Sequence, residues 1–240
     1  MKNKHKYKKV VVSPEDMVKY LGIEGKFPSK YILIYSDYAE EFCIRRYKPE
    51  IRELHSILKI LILGDIGIVK MTGIGSPHAA SIMEELVALG GKQFLNIGTA
   101  GGLKHKGIFL CNKALRDEGT SSHYLKPGRF TYPVRNLTAR LGKSIKSRGL
   151  EYSIGTTWTT DAPYRETKAE VKKYAKQGIS TVDMETSALF AVAKYRKVEI
   201  AATFVVSDLV CEGKWKPMFK DTQIKETLNL LVEAAVDCLS

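Results

Sequence analysis

The chain has 240 residues, 44% hydrophobic and 27% charged, which suits one large globular domain with a sizeable core and excludes a disordered or low-complexity class. Lysine and arginine number 38 against 26 aspartates and glutamates, a net charge of +12 that suits an anionic partner: nucleic acid, a membrane surface or a small anionic substrate. Beyond the N-terminus the excess is scattered singly and in pairs with no basic-aromatic motif, so it reads as a solvated surface, and no nucleic-acid partner is expected.

Residues 1–12 form a basic leader carrying Lys2, Lys4, Lys6, Lys8 and Lys9. No apolar core follows them, so they do not read as a signal peptide. Tyr31–Tyr35 (YILIY) is the first predicted strand, followed by Ile66–Met71, Gln93–Ile97, Ile108–Leu115, Tyr152–Thr157 and Ile200–Val206. The longest apolar stretch, Ile57 to Val69, is broken by Lys59 and Asp65 and is too short to span a bilayer, so no membrane partner is expected.

Helices are predicted between the strands. The first starts at Ser76-Pro77, an N-cap and a first-turn proline, carries Ala79, Ile82, Met83, Leu86 and Val87 at helical spacing, and stops at Gly90-Gly91. Thr138–Arg148, Glu166–Gln177, Glu185–Tyr195 and Thr222–Leu239 follow. This alternation predicts an α/β fold: a single domain over residues 13–240 with a central, twisted mixed β-sheet flanked by helices on both faces. Cys43, Cys111, Cys211 and Cys238 are far apart and without metal spacing, so they read as reduced, buried thiols of a cytoplasmic protein, and no metal site is expected.

In such folds ligands gather beyond the carboxyl ends of the strands. Two glycine turns lie there, Met71–Pro77 and Asn96–Gly102; each suits close approach to a ligand or simply a tight connection. Asp208 follows an apolar strand and is either a cap or an acid whose pKa burial raises. Asp183 and Glu185 flank Met184 at a strand-to-helix junction. They serve either the helix dipole or a sugar, with carboxylate to hydroxyls and thioether to the apolar ring face.

The ordered set GIGSP (73–77), IGTAGG (97–102), RDEGTSSHY (116–124), TTDAPY (159–164), VDMETSALFAVA (182–193) and VVSD (205–208) resembles the nucleoside phosphorylase superfamily, which includes purine nucleoside and uridine phosphorylases and several nucleosidases. The resemblance runs from about Tyr31 to Asp208. It implies a catalytic pair, Asp208 and Glu185: Glu185 on the ribose hydroxyls, Asp208 on N7 of a purine. It implies a substrate site of Thr99, Ala100, Gly101, Tyr164, Val182, Asp183, Met184 and Ser207, with Thr99 also touching phosphate. Uridine-specific members usually lack the Asp of the SD pair, so Asp208 tilts the expectation to purines. Phosphate is the implied co-substrate, with no cofactor, and a homo-oligomer (dimer or hexamer) is implied because the family builds its sites near subunit contacts.

The chain also departs from the family. The phosphate-binding turn after the first strand reads Ser36–Glu40, and the arginine expected three residues before Thr99 is Asn96. Ser36 and Arg116 stand as phosphate candidates, Arg45, Arg46 and Arg52 as substitutes, and Glu40 as a charge that would repel phosphate. The base-stacking aromatic aligns with Pro163, leaving Tyr164 or Trp158. The histidine the family borrows from a neighbouring subunit points to His5. His123-Tyr124 reads as a pocket edge or an interface pair, and His105 as solvent-exposed. Lys214 or Lys216 stands as a modulator of Asp208. The reading is phosphorolysis of a nucleoside, purine before uridine, to base and pentose 1-phosphate. Hydrolysis by a nucleosidase is the alternative, which the missing arginines favour. A nucleoside-binding protein without turnover is the third reading.

Overall fold

The computed structural model describes residues 10–211 and 214–240. The leader lysines and His5 lie outside the described residues. Val10, Val11 and Val12 are exposed, and Ser13 opens the first helix with a capping box to Asp16. In chain order the elements are α1 (Pro14–Tyr20), β1 (Lys30–Ile34), α2 (Asp37–Tyr47), β2 (Glu50–His55), β3 (Leu58–Leu63), β4 (Ile66–Lys70), α3 (Ser76–Ala88) and β5 (Gln93–Gly102). Next come β6 (Ile108–Asp117), α4 (Ser121–Tyr124), β7 (Phe130–Thr131), α5 (Arg135–Ser147), β8 (Tyr152–Thr160), α6 (Lys168–Lys176) and β9 (Ile179–Asp183). The last are α7 (Thr186–Arg196), β10 (Glu199–Cys211), β11 (Lys214–Pro217) and α8 (Thr222–Leu239).

The fold is the expected mixed α/β domain. Alternation along β1 shows how both sheet faces are filled. Tyr31 and Leu33 pack into one apolar cluster with α3 and α7, while Ile32 and Ile34 pack into the other with α2, α5 and α8. A strand buried on both sides needs apolar residues throughout, which is why YILIY is a continuous run. In α3, Ala79, Ile82, Met83 and Leu86 form the buried stripe. At α8 the cap is Asp221, whose side chain accepts from the Gln223 backbone N–H at 2.9 Å.

The sheet runs in the order β11-β10-β6-β8-β9-β5-β1-β4-β3-β2, and β5 also pairs with β10. Those pairings close a circuit, β5–β10–β6–β8–β9–β5, so this half of the sheet curls into a barrel while the β1–β4 half stays open. Closure was not legible in the apolar pattern. It requires β5 and β10 to run past their apolar stretches, to Gly102 and Cys211, and so to carry motif residues into the curl.

Other differences are local. Ser36–Glu40 is not a loop: Ser36 precedes α2 and the segment is its first turn. The apolar stretch Ile57–Val69 is a hairpin, β3 and β4, reversed at Gly64 (φ +60). Gly75, not Ser76, is the N-cap of α3, and the Ser76 hydroxyl instead donates to the Met184 carbonyl at 2.7 Å. The Thr167 cap places the start of α6 after Glu166. Cys43, Cys111 and Cys238 are buried free thiols, and Cys211 is half-buried. Among the described residues no helix is long and apolar enough to cross a membrane.

Candidate active site

Beyond the ends of the strands opens a cavity of about 790 Å³, within the range of small-molecule sites. Gly101 on β5 lines it, in register with Val182 of β9 and Asp208 of β10. The β5–β10 register shifts between Val206 and Asp208, and such an irregularity re-aims the side chains that follow it. Residue 101 has to be glycine for steric reasons. A Cβ there would lie 2.9 Å from Val182 Cγ1 and 3.5 Å from Asp208 Oδ2.

Asp208 is 9% exposed and accepts at both oxygens: from Ser207 Oγ at 3.0 Å on Oδ1 and from Trp215 Nε1 at 2.9 Å on Oδ2. The Trp215 bond comes from β11, whose pairing sets Trp215 opposite Val210. Alternation then turns Lys214 and Lys216 to the other side of the strand, so the residue of this hairpin that acts on Asp208 is the tryptophan, not a lysine.

Glu185, also on the lining, is held at the β9–α7 junction. Its carboxyl accepts from the Gly75 N–H at 2.6 Å and the Met184 N–H at 3.3 Å, so the first glycine turn serves the site by holding this acid. Burial, and secondarily the charge of Asp183, push Glu185 up to about 7, close to half-ionised at neutral pH. Asp183 has a different task. Its carboxyl takes hydrogen bonds from Thr159 Oγ1 (2.7 Å), Thr157 Oγ1 (3.3 Å), the Thr186 N–H (2.9 Å) and the Thr186 hydroxyl. That saturated shell makes it a brace for the start of α7, although full burial still raises its pKa. Thr186 also accepts from Asn96 Nδ2 (3.2 Å), and Asn96 Oδ1 accepts from the Tyr35 hydroxyl (2.8 Å). Burial, reinforced by Glu185 and Asp183, keeps that phenol protonated.

Thr99, Ala100, Gly101, Tyr164, Val182, Asp183, Met184, Glu185, Ser207 and Asp208, expected together from the sequence, all line this one cavity. Ser36 and Arg116 do not. Arg116 donates to Ser121 Oγ and to the carbonyls of Lys126 and Gly128, tying down its own loop. Arg46 pairs with Glu233 and Arg52 with Glu50, and Arg45 is exposed away from the lining. Glu40 is no bare charge facing a ligand. It is buried and paired with Lys59 (2.8 Å) and Lys70 (3.7 Å). Trp158 cannot stack on a base: it is 1% exposed, with its Nε1 donating to Asp117 Oδ2. Tyr164 stands fully exposed at the rim. Of the His123-Tyr124 pair, His123 is exposed and Tyr124 packs edge-on against Tyr195, so neither forms a pocket edge. His105 is exposed, as expected.

Sequence reasoning passed over Tyr35, Glu166, Trp215 and Phe219, all on the lining. Tyr35 follows β1 directly, so the strand-end rule would have found it. Glu166 was read only as the first residue of a helix, Glu166–Gln177. Trp215 and Phe219 carry no local signal, because their place depends on β11 folding back. The lining holds four carboxyl groups, Glu166, Asp183, Glu185 and Asp208, and no basic side chain among the described residues.

A mixed α/β sheet with a mostly apolar cleft at its strand ends, lined by buried acids beside a glycine, suits a small ligand with a flat apolar part and a hydroxylated part. The profile of the phosphorylase superfamily matches residues 39–239, and the chain belongs to that superfamily. It is 27% identical over 169 residues to the guanosine phosphorylase of Halorubrum lacusprofundi, covering 69% of this chain and 70% of that protein. It is 29% identical over 179 residues to a DeoD-type purine nucleoside phosphorylase of Bacillus cereus, covering 70% and 73%. Among solved structures, the AMP nucleosidase of Bacteroides thetaiotaomicron superposes with a TM-score of 0.76 at 25% identity over 94% of this chain and 98% of the other. The purine nucleoside phosphorylase of Toxoplasma gondii also gives 0.76, at 21% identity over 89% and 91%, a likeness of fold. The chain is therefore an enzyme of the nucleoside phosphorylase and nucleosidase type. Phosphorylases of this family take phosphate as co-substrate and need no other cofactor.

Proposed function

We propose that the protein cleaves the N-glycosidic bond of purine nucleosides, with phosphate as the acceptor, giving free base and pentose 1-phosphate. The observation that carries this reading is that Asp208 and the Met184-Glu185 pair line one nucleoside-sized cavity from different strand ends, β10 and the β9–α7 junction. Glu185 takes the ribose hydroxyls, Met184 packs on the sugar, and Asp208 with Ser207 faces the base edge. As the bond stretches, the sugar gains positive charge and the base negative charge. A carboxylate on the sugar side and a hydrogen-bonding acid on the base side oppose both costs. Thr99, on the lining, takes the acceptor side. The likeness to guanosine and purine nucleoside phosphorylases supports both purine and phosphate.

One observation favours a second reading, hydrolysis: among the described residues the lining carries four carboxyls and no cation, a poor electrostatic setting for a phosphate dianion. Neither Ser36 nor Arg116 mends this, and in the phosphorolytic reading we assign the missing cation to a neighbouring subunit. We include a homo-oligomer, dimer or hexamer, in the proposal. Its support is the exposed apolar rim of Ile74, Tyr164, Trp215 and Phe219 around the cavity mouth.

Incubation of inosine, adenosine, uridine and 5′-methylthioadenosine with and without phosphate separates the readings by product. We expect purine release that depends on phosphate; equal rates without it, with free ribose as product, assign the protein to hydrolysis. Asp208→Ala is expected to lose about 10²-fold or more on purine nucleosides while still binding them. Wild-type turnover in that variant would reduce Asp208 to a structural cap and remove the purine assignment.

A further inference from the structure

Glu166 lies between the 3₁₀ turn Pro163–Arg165 and the Thr167 cap of α6. The capping box fixes its backbone on one side: Thr167 Oγ1 accepts from the Glu170 N–H, and Glu170 Oε2 accepts from the Thr167 N–H and hydroxyl. The half-buried Glu166 carboxyl, set on that rigid support, lines the cavity and has no hydrogen-bond or ion-pair partner among the described residues. The charges that act on it are Asp208 from β10 and Glu170 from α6, and both are negative. Burial first, then Asp208, then Glu170 push it up to about 7.

The contrast with Asp208 decides the roles. Asp208 is engaged as an acceptor at both oxygens, by Ser207 and Trp215. Glu166 is the free acid beside it. Both carboxyls line the one cleft, and the uncommitted member is Glu166.

We propose that Glu166 is a catalytic residue, the proton donor to the leaving base, while Asp208, held by Ser207 and Trp215, hydrogen-bonds the base edge. This rests on the purine-nucleoside reading above. In the step, the C1′–N9 bond breaks and its electron pair passes into the imidazole ring. N7 takes the proton from the Glu166 carboxyl, which becomes a carboxylate. The acceptor oxygen, of phosphate or water, bonds to C1′ and releases a proton that returns Glu166 to its acid form through solvent.

The test compares inosine with 7-methylguanosine, whose base is already cationic and leaves without needing a proton. For wild type, kcat/KM on inosine is expected to fall above about pH 7 as Glu166 ionises, and to rise up to about 7 as Glu185 ionises. Glu166→Gln is expected to lose about 10²-fold or more on inosine and to lose the falling limb. On 7-methylguanosine at pH 6 it should stay within about threefold of wild type, which also shows that the variant is folded. Glu166→Asp, which keeps an acid, should recover part of the inosine rate. An unchanged inosine rate and pH limb in Glu166→Gln overturns the proposal, and so does an equal loss on both substrates that Glu166→Asp does not relieve. A wild type that turns over no purine nucleoside sinks the parent reading and this one together, a result visible before any variant is made.

Discussion

Glu185 shows how a single residue is placed at odds with stability for the sake of chemistry. Its ordinary pKa is 4.5, and burial beside Asp183 raises it to about 7 in the folded chain. Between those values the folded state binds a proton that the unfolded state does not. The stability linked to this group is therefore full below about pH 4.5, and it is lost as pH rises through about 7. Glutamine carries no such cost. Glu185→Gln should be more stable than wild type above pH 7, by a few kcal/mol at most, and the advantage should vanish towards pH 4.5. Thermal melts across that range check the sign. The same variant should lose about 2–4 kcal/mol of transition-state stabilisation, read from kcat/KM. Near-normal catalysis would remove Glu185 from the mechanism. The glutamate itself was legible in the sequence from its place beside Met184. Its partner Gly75 was not, because the two are 110 positions apart and meet only through packing.

Three strands meet at Gly101, and their spacing sets the floor of the cavity. β9 and β10 approach β5 from opposite sides, with Val182 and Asp208 both in register with residue 101. Gly101→Ala would drive its Cβ against Val182, a backbone-anchored side chain on a paired strand, and towards Asp208. We expect a stability cost of about 1–3 kcal/mol and a larger fall in kcat/KM than in base binding. An alanine variant with wild-type melting temperature and turnover would show that the strands have slack at this point. The glycine-rich IGTAGG run was readable as a turn; in the structure it is the end of a long strand. Propensity disfavours glycine in strands, and pairing with β9 and β10 on both sides overrides it.

At the scale of the whole molecule, the curl of the sheet places all four carboxyls of the lining in one cleft whose mouth is apolar and exposed. Tyr164 is fully exposed and Trp215 is 61% exposed, which is unusual for rings beside a catalytic cleft in an isolated subunit. The proposed homo-oligomer would cover them. Sedimentation at micromolar concentration is expected to give a dimer or hexamer, and a monomer there would count against it. If the subunits separate on dilution, activity should fall with them, because the apolar rim that the proposed contact covers borders the cavity.

What the sequence determined by itself was local and ordered: the apolar runs that make buried strands, the stop of α3, the span of α8, and the motif residues that end up on the lining. Those features depend on near neighbours in the chain, and period and capping chemistry express them directly. Only the tertiary structure decided which polar groups those residues meet. Trp215 reaches Asp208 because β11 folds back on β10, Arg116 is taken up by its own loop, and Trp158 is sealed beneath α6. Glu166 became a candidate acid through its neighbour Asp208, 42 positions away in the chain. The charge state of a carboxyl is set by burial and by charges across the cavity, and no stretch of sequence encodes either alone.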